Sequence, residues 1–348
     1  MAEQYVLMTL DPVHIGTGGY RLGRVDNSIV REPGTNLPKI PGTSLSGAIR
    51  AYAAYEYGKV SCAGQSGHCG EPTCPICYTF GYVKSKDENQ KARAGAINIF
   101  DAQILFFPVW SMMGPVWVTT KNILDRFGIT GKNIVNVPDG KFIASFERNK
   151  ALNFGWLMLE PNNGDSKISE LNAVWGESNE WNAIKERIAV VSESIFSRIV
   201  NDNLEVRTSV SINPETGAAE SGALFTYEAI PRSTFLVLEV VQHDFRNEFP
   251  NTTKKAKIVD KDKGKYQDNA GDKLGKTWSR PIDVFESGLS HIELLGVGGM
   301  GTRGFGRVRW VTAKNNKQEE TNINAQNDSK PENETEASEK GEGIENGE

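Results

Sequence analysis

Apolar and polar positions along this chain predict many short strands and a few helices. Residues 5–10, YVLMTL, form a first strand. The stretch that follows, HIGTGGYRLGRVDNSIVRE, is glycine-rich and turns β-like around Ser28–Arg31. Residues 40–57, IPGTSLSGAIRAYAAYEY, predict a helix: Ala48, Ala51, Ala53 and Ala54 favour helical backbone, and Thr43 or Ser44 stands where a cap is needed. AINIFDAQILFF at 96–107 predicts a strand broken at Asp101, GPVWVTT at 114–120 a second, and 121–128 a short helix. Between 168 and 200 the pattern predicts helix, most clearly in WNAIKERIAVV. VRTSVSIN and ALFTYEAI flank Pro214–Gly222, which has turn composition, and so predict a hairpin over about 205–230. TFLVLEVV at 234–241 is another strand, and the polar, lysine-rich segment 247–277 reads as a functional or disordered loop. Residues 281–295 predict a helix, and GVGGMGTRGFGRVRWV a glycine loop entering a last strand. Strands and helices mix without a βαβ rhythm, which favours α+β over a doubly wound sheet.

Composition narrows the setting. The 348 residues are 38% hydrophobic and 24% charged, as in a soluble globular protein. No apolar run approaches the ~20 residues that span a bilayer, and MAEQYVLMTL has neither the basic region nor the cleavage site of a signal peptide. The expectation is a cytoplasmic protein with no membrane partner. The net charge of −5 is unevenly spread: residues 315–348 hold ten acidic and three basic residues, a net of −7 that leaves +2 for the other 314. The tail, rich in Glu, Asn, Ser and Gly, buries too little surface to order itself. The body is mildly basic, which suits a nucleic-acid partner.

Candidate chemistry falls into four clusters. The loop at 296–306 interleaves Gly296, Gly298, Gly299, Gly301, Gly304 and Gly306 with Arg303 and Arg307. Glycine lets the backbone approach another chain closely, and arginine adds bidentate phosphate contacts. This is a cradle for an RNA backbone or, more plainly, a flexible turn. Its G-x-G-x-x-G subpattern lacks the helix and acidic residue of a dinucleotide site. Near the N-terminus, His14, Gly16, Gly18 and Gly19 accompany Arg21, Arg24 and Asp26. A carboxylate amid basic residues suits phosphodiester chemistry, by holding a divalent cation or orienting the attacking hydroxyl. His14 could shuttle a proton or contact the scissile phosphate. On the residues alone, Asp26 reads more readily as a turn residue or an arginine partner. Lys39, Ser44, Ser46 and Arg50 surround a helix start, where free N–H groups bind phosphate; capping explains Ser44 equally well, and Lys39 and Arg50 could be solvated charges.

The fourth cluster is Cys62, Cys69, Cys74 and Cys77, spaced C-x6-C-x4-C-x2-C, with His68 beside Cys69 and no other cysteine in the chain. In a reducing compartment such clustering points to metal. Four thiolates, or three with His68, meet the tetrahedral demand of a structural zinc; four reduced, unliganded thiols are the alternative. A zinc deaminase needs H-x-E and P-C-x-x-C, and H-C-G-E-P-T-C-P-I-C has neither spacing.

Taken in order, DPVHIGTGG with RVDNSIVRE, LPKIPGTSLSGAIRAY, INIFDAQILFFPVWS, RIAVVSESIF, INPETGAAESGALFTYEAIP and GVGGMGTRGFGRV resemble the RAMP superfamily of CRISPR proteins. Within it they resemble the backbone subunits of type III-B (Cmr) effector complexes, over most of residues 5–310. The resemblance implies a modified RNA-recognition-like (ferredoxin-like) core with insertions over residues 1–313 and a β-hairpin thumb at about 205–230; the zinc segment within 60–78 and the acidic tail at 314–348 are read from the residues and are extra to the family's pattern. It implies copies stacked along a crRNA guide beside other Cmr subunits. Each thumb would interrupt the guide–target duplex, with complementary target RNA cut at each interruption. The family's catalytic aspartate falls on Asp26, which reverses the plainer reading of that residue. His14 and Glu228 match positions implicated in cleavage, and Tyr227 adjoins Glu228. RNA contacts are expected on Lys39, Ser44, Ser46, Arg50, Gly298, Gly299, Gly301, Thr302, Arg303 and Arg307. The implied reaction needs a divalent cation, Mg or Mn. It uses the target's own 2′-hydroxyl and leaves a 2′,3′-cyclic phosphate and a 5′-hydroxyl. Many relatives lack the cysteine insertion, so zinc rests on spacing alone. Two other readings stay open: an RNA-binding subunit that is purely structural, and a mononucleotide-binding enzyme that uses the 296–306 loop.

Overall fold

The structure is a computed structural model that describes residues 2–18, 25–64, 68–83, 92–162, 167–173, 175–220, 223–250, 258–259, 266–267 and 278–311. Gly19, Arg21, Arg24, most of the 247–277 segment and the acidic tail lie outside the described residues. The first part of the chain forms β1 (Glu3–Thr9), β2 (Lys39–Ile40), α1 (Gly42–Glu56), α2 (Pro75–Phe80), β3 (Ile97–Ile99) and β4 (Ala102–Ser111). The middle forms β5 (Gly114–Thr120), α3 (Lys121–Arg126), β6 (Thr130–Lys132), β7 (Lys141–Ala144), β8 (Leu152–Phe154), β9 (Leu157–Pro161), β10 (Ser169–Asn172), α4 (Asn179–Ile184), β11 (Ile188–Val191) and α5 (Glu193–Asp202). Then come β12 (Glu205–Ser209), β13 (Phe225–Ala229), β14 (Phe235–Gln242), the short pair β15 (Ile258–Val259) and β16 (Tyr266–Gln267), α6 (Pro281–Leu295) and β17 (Val308–Val311).

Four strands carry the core. They lie side by side in the order β17-β1-β14-β4, each antiparallel to its neighbour. The helix α1 lies between β1 and β4 in the chain, and α6 between β14 and β17. Renumbered among themselves, these strands run 4-1-3-2 in a βαββαβ unit, which is the ferredoxin-like arrangement. The α+β expectation therefore holds. The chain departs from the bare unit in two places: residues 57–96 are inserted after α1, and residues 112–234 replace the central hairpin.

Both faces of the core sheet are covered. Tyr5, Leu7, Ile104, Leu236 and Leu238 pack with Leu45 and Ile49 of α1 and Phe285 and Leu289 of α6. Val6, Leu105, Phe106, Phe235 and Val237 face the other way, onto Trp175, Trp181 and Ile184 of the long insertion. This explains why β4 and β14 read as unbroken apolar runs: a strand buried on both sides has no polar face to alternate with. The same effect overturns one expectation. In WNAIKERIAVV, helix α4 stops at Ile184, and IAVV is the strand β11, parallel to β5 and buried along its whole length. A short β-branched run with no polar member has no helical period to follow.

The start of α1 also differs from expectation. Neither Thr43 nor Ser44 caps it; the N-cap is Pro41, and the Gly42 amide donates to Asp101 Oδ1 at 2.8 Å. Asp101 interrupts the β3–β4 run because its carboxylate serves this helix end. Packing between α1 and α6 depends on one glycine, because a Cβ at Gly288 would overlap the carbonyl oxygen of Ile49. Alanine would improve helix propensity by about 1 kcal/mol, but overpacking two buried helices costs about 1–3 kcal/mol. Gly288→Ala is expected to lower unfolding free energy by about 1–2 kcal/mol, read as a lower denaturant midpoint at unchanged slope.

Candidate active site

Motifs far apart in sequence meet at one edge of the core. Val13 bridges Ile230, Gly16 bridges Ile29, and Asn27 bridges Tyr227 in parallel. The segment 12–17, the segment 25–31 and strand β13 therefore lie side by side. The glycine loop closes over them: the Gly299 amide donates to the His14 carbonyl at 3.0 Å, and the Gly306 amide to the Pro12 carbonyl at 2.9 Å. Gly298, with φ +89°, must be glycine, since a Cβ there would overlap His14 O and Ile15. The hairpin β12–β13 projects from this junction in the register Glu205↔Ala229 to Ser209↔Phe225. Its far end is closed by an Asn213 side chain that accepts from the Glu215 and Thr216 amides.

Asp26 is exposed at this junction. Its Oδ2 accepts from the Thr226 amide at 2.7 Å and from the Thr226 hydroxyl at 2.9 Å. These bonds hold its carboxyl below the usual carboxylate range. Asp26 is thus neither buried nor an arginine partner among the described residues. It is a carboxylate presented to solvent with one oxygen already occupied.

The other three candidates for chemistry sit differently. Glu228 is buried and accepts from Arg31 at 2.7 Å in an ion pair, while the Ile29 amide lies 3.4 Å from the same oxygen. Its carboxylate is thus engaged by Arg31 inside the protein and is not presented to solvent as Asp26 is. Tyr227 is also buried and packs with Phe305 of the glycine loop at a centroid distance of 5.5 Å and with Phe225 at 5.8 Å. His14 is buried, and its Nδ1 lies 2.6 Å from the Glu228 carbonyl. A carbonyl only accepts, so Nδ1 carries the proton and a neutral ring keeps its lone pair on Nε2. Thr226 and Arg31 were missed from sequence. The available signal was strand alternation, which puts Thr226 and Glu228 on one side of β13.

A cleft of about 320 Å³ separates α1 from the glycine loop, lined by Ser44, Ala48, Tyr52, Gly298, Gly301 and Phe305. Gly298, Gly299, Gly301, Thr302 and Arg303 are exposed beside it, and Ser46 is half-buried on α1. Arg303 lies over the Phe225 ring at 6.0 Å and has no ion-pair partner among the described residues. Three expected phosphate contacts are otherwise engaged. Lys39 is held between Glu32 at 2.7 Å and Asp101 at 2.6 Å, which raise its pKa. Arg50 is turned away from the cleft and donates to the carbonyls of Cys62 at 2.8 Å and Gly81 at 2.6 Å. Arg307 is paired with Asp11. At the helix start itself, the first α1 amide, that of Gly42, is taken by Asp101.

The cysteines converge. Sγ–Sγ distances are 3.5 Å for Cys62–Cys69, 3.8 Å for Cys69–Cys77, 3.9 Å for Cys62–Cys74 and 3.7 Å for Cys62–Cys77. A zinc with sulfur ligands at ~2.3 Å needs tetrahedral edges of about 3.8 Å. His68 is not a fourth ligand here, because its Nδ1 accepts from Arg50 at 2.9 Å. Lys59 Nζ lies 3.9 Å from Cys69 Sγ. Two cations beside four sulfurs suit a centre whose net charge is negative.

The RAMP superfamily model matches residues 6–309. The CRISPR system Cmr endoribonuclease Cmr4 of Pyrococcus furiosus is 34% identical over 244 residues, covering 66% of this chain and 77% of the relative. The CRISPR system Cms endoribonuclease Csm3 of Methanothermobacter thermautotrophicus is 41% identical over 71 residues, covering 20% of this chain and 28% of the relative. Among solved structures, a chain of the type III-B Cmr-beta complex bound to cognate target RNA superposes with a TM-score of 0.54 at 18% identity, covering 89% of this chain and 97% of that one. Oligomeric Cmr4 from P. furiosus superposes at 0.51 and 22%, covering 90% and 99%. At these identities the superpositions bear on the fold alone.

The Arg31–Glu228 pair can be tested through stability. Its side chains are 20% and 8% exposed, so losing one partner leaves a largely buried charge. Glu228→Gln and Arg31→Gln should each lower unfolding free energy by about 2 kcal/mol, with a coupling of about 1–2 kcal/mol in the double variant. Additive losses in that cycle would show that the pair carries no energy of its own.

Proposed function

The chain belongs to the RAMP superfamily, and we propose that it is the repeated, RNA-binding backbone subunit of a Cmr-type CRISPR effector that cuts target RNA at Asp26. The observation that carries this reading is an exposed Asp26 carboxylate, fixed at the root of a projecting hairpin and next to an exposed glycine loop. A relative 34% identical to this chain bears the name endoribonuclease.

In this reading the amides of Gly298 and Gly301, with Arg303, hold the crRNA backbone beside the cleft, and the exposed Gly299 lets that backbone approach closely. Val210, Ile212 and Leu224, exposed on the hairpin, form an apolar wedge that parts the guide–target duplex, as apolar side chains do between base steps. The target nucleotide left unstacked can bring its 2′-hydroxyl into line with the adjacent phosphorus. That oxygen forms the new P–O bond and gives its proton to solvent water, the bond from phosphorus to the 5′-oxygen breaks, the 5′-oxygen takes a proton from water, and the products are a 2′,3′-cyclic phosphate and a 5′-hydroxyl. Asp26, with its lowered pKa, is a weak proton acceptor near neutrality; its role is to orient the hydroxyl by accepting its hydrogen bond. Divalent Mg or Mn would supply neutralisation of the phosphate charge. The protein carboxylates do not build a cage for it, since Glu228 is consumed by Arg31 and the cysteines are the one candidate metal-binding group among the described residues. The other proposed partners are further copies of this chain and other Cmr subunits, and the setting is cytoplasmic. No helix among the described residues is long and apolar enough to cross a membrane.

The cysteine insertion is assigned a structural zinc held by Cys62, Cys69, Cys74 and Cys77. It would staple residues 60–78 to α1 and α6 through Ala53, Ala54 and Val284, which pack with the cysteines. Freshly purified protein should contain about one zinc per chain, measured by elemental analysis. Cys77→Ser should lose the metal and lower the melting temperature; metal-free wild-type protein would count against the site.

Asp26→Asn separates the two functions of the subunit. In assembled complexes the variant should bind complementary RNA normally and cut it at least about 100-fold more slowly. Regularly spaced fragments at the wild-type rate would leave the chain a structural RNA-binding subunit.

A further inference from the structure

The thumb strand does more than support a wedge. We propose that Thr226 is the positioning residue of the cleavage site, fixing the Asp26 carboxylate so that the thumb carries part of the catalytic apparatus. The proposal rests on Asp26 being the residue that acts in cleavage.

Three hydrogen bonds define the arrangement. The Thr226 amide and hydroxyl both donate to Asp26 Oδ2, at 2.7 Å and 2.9 Å. The same hydroxyl accepts from the Asp26 amide at 3.1 Å. Its single proton is therefore committed to the carboxylate, and its lone pair to the backbone of the residue it holds. An exposed aspartate ordinarily turns about its side-chain torsions. Two donors on one oxygen fix the carboxylate plane and leave Oδ1 directed away from Thr226. That oxygen is the one able to meet a substrate hydroxyl.

The backbone makes the placement firm. The Asn27 amide donates to the Thr226 carbonyl at 3.0 Å, and the Glu228 amide to the Asn27 carbonyl at 3.1 Å. Thr226 is also paired with Thr208 across the hairpin. A displacement of the hairpin root thus moves the carboxylate with it. Threonine suits the task because its branched Cβ restricts χ1 while its hydroxyl both donates and accepts. Valine keeps the shape and loses the hydroxyl; serine keeps the hydroxyl and loses the stiffness.

The test uses the assembled effector with its guide RNA. Single-turnover cleavage and affinity for labelled complementary RNA are measured for wild type, Thr226→Val, Thr226→Ser, Thr226→Ala and Asp26→Asn. Losing one charge-assisted hydrogen bond should slow Thr226→Val and Thr226→Ala by about tenfold. Target affinity and fragment spacing should not change, and Thr226→Ser should stay within about threefold of wild type. If valine prevents assembly, alanine against serine carries the same comparison. Wild-type rates in Thr226→Val or Thr226→Ala, with Asp26→Asn inactive, would overturn the role of Thr226 and leave that of Asp26. Normal cutting by Asp26→Asn would overturn both. Slower cutting that tracks weaker target binding would make Thr226 a groove residue and end the proposal.

Discussion

Strand β13 meets the segment 25–31 through two side chains on one face, and the functional edge of the molecule is organised around that meeting. Thr226 holds Asp26, and Glu228 holds Arg31 and faces the Ile29 amide. Between them, Asn27 bridges Tyr227. One tie is buried and charged, the other exposed and polar. The buried tie is costly to disrupt, because an unpaired carboxylate inside protein has no substitute partner. The exposed tie is energetically small but sets a direction. A rigid anchor two residues from an adjustable contact keeps the Asp26 carboxylate in place without burying it. Burial would have pushed its pKa up and closed it to RNA.

The legible parts of the sequence were those with strong local signals. Helix α6 was readable because its apolar period runs from a proline start to a glycine stop. The hairpin was readable from its turn composition. The cysteine site was readable from spacing, and its four sulfurs lie within one tetrahedron's reach. Strand β11 was misread because a short buried strand and a short buried helix look alike in apolar pattern. The helix cap was misread because the carboxylate at the α1 N-terminus comes from Asp101, 59 residues away in the chain. Long-range partners of this kind leave no local trace.

The same limit governs the charges. Lys39, Arg50 and Arg307 each suit a phosphate when read singly. In the fold they meet Asp101 and Glu32, the carbonyls of Cys62 and Gly81, and Asp11. Arg50 in particular serves the insertion, bracing the carbonyl of a cysteine and the ring of His68. Among the described residues, what stays available around the cleft is backbone amide and one guanidinium without an ion pair, Arg303. In the proposed function such a surface would follow the path of an RNA backbone more than its charge, because amides reward geometry where lysines reward proximity.

This bears on how a subunit with so little catalytic equipment could cut RNA. Glu228 and Tyr227 are withdrawn into the protein, and His14 has its Nδ1 bound to a backbone carbonyl. One exposed carboxylate of low basicity remains. Such a group takes a proton from a ribose hydroxyl poorly, so under the proposed function most of the acceleration would come from geometry. Holding a 2′-hydroxyl in line with its phosphorus replaces a rare conformation with a bound one, and orientation of that kind can remove several kcal/mol from a barrier. The hairpin is the element able to impose it, since it projects from the strand that holds the carboxylate. Under the proposed function, distortion of the target and placement of Asp26 would then follow from one structural element. RNA lying flat along the glycine loop would be bound without being cut.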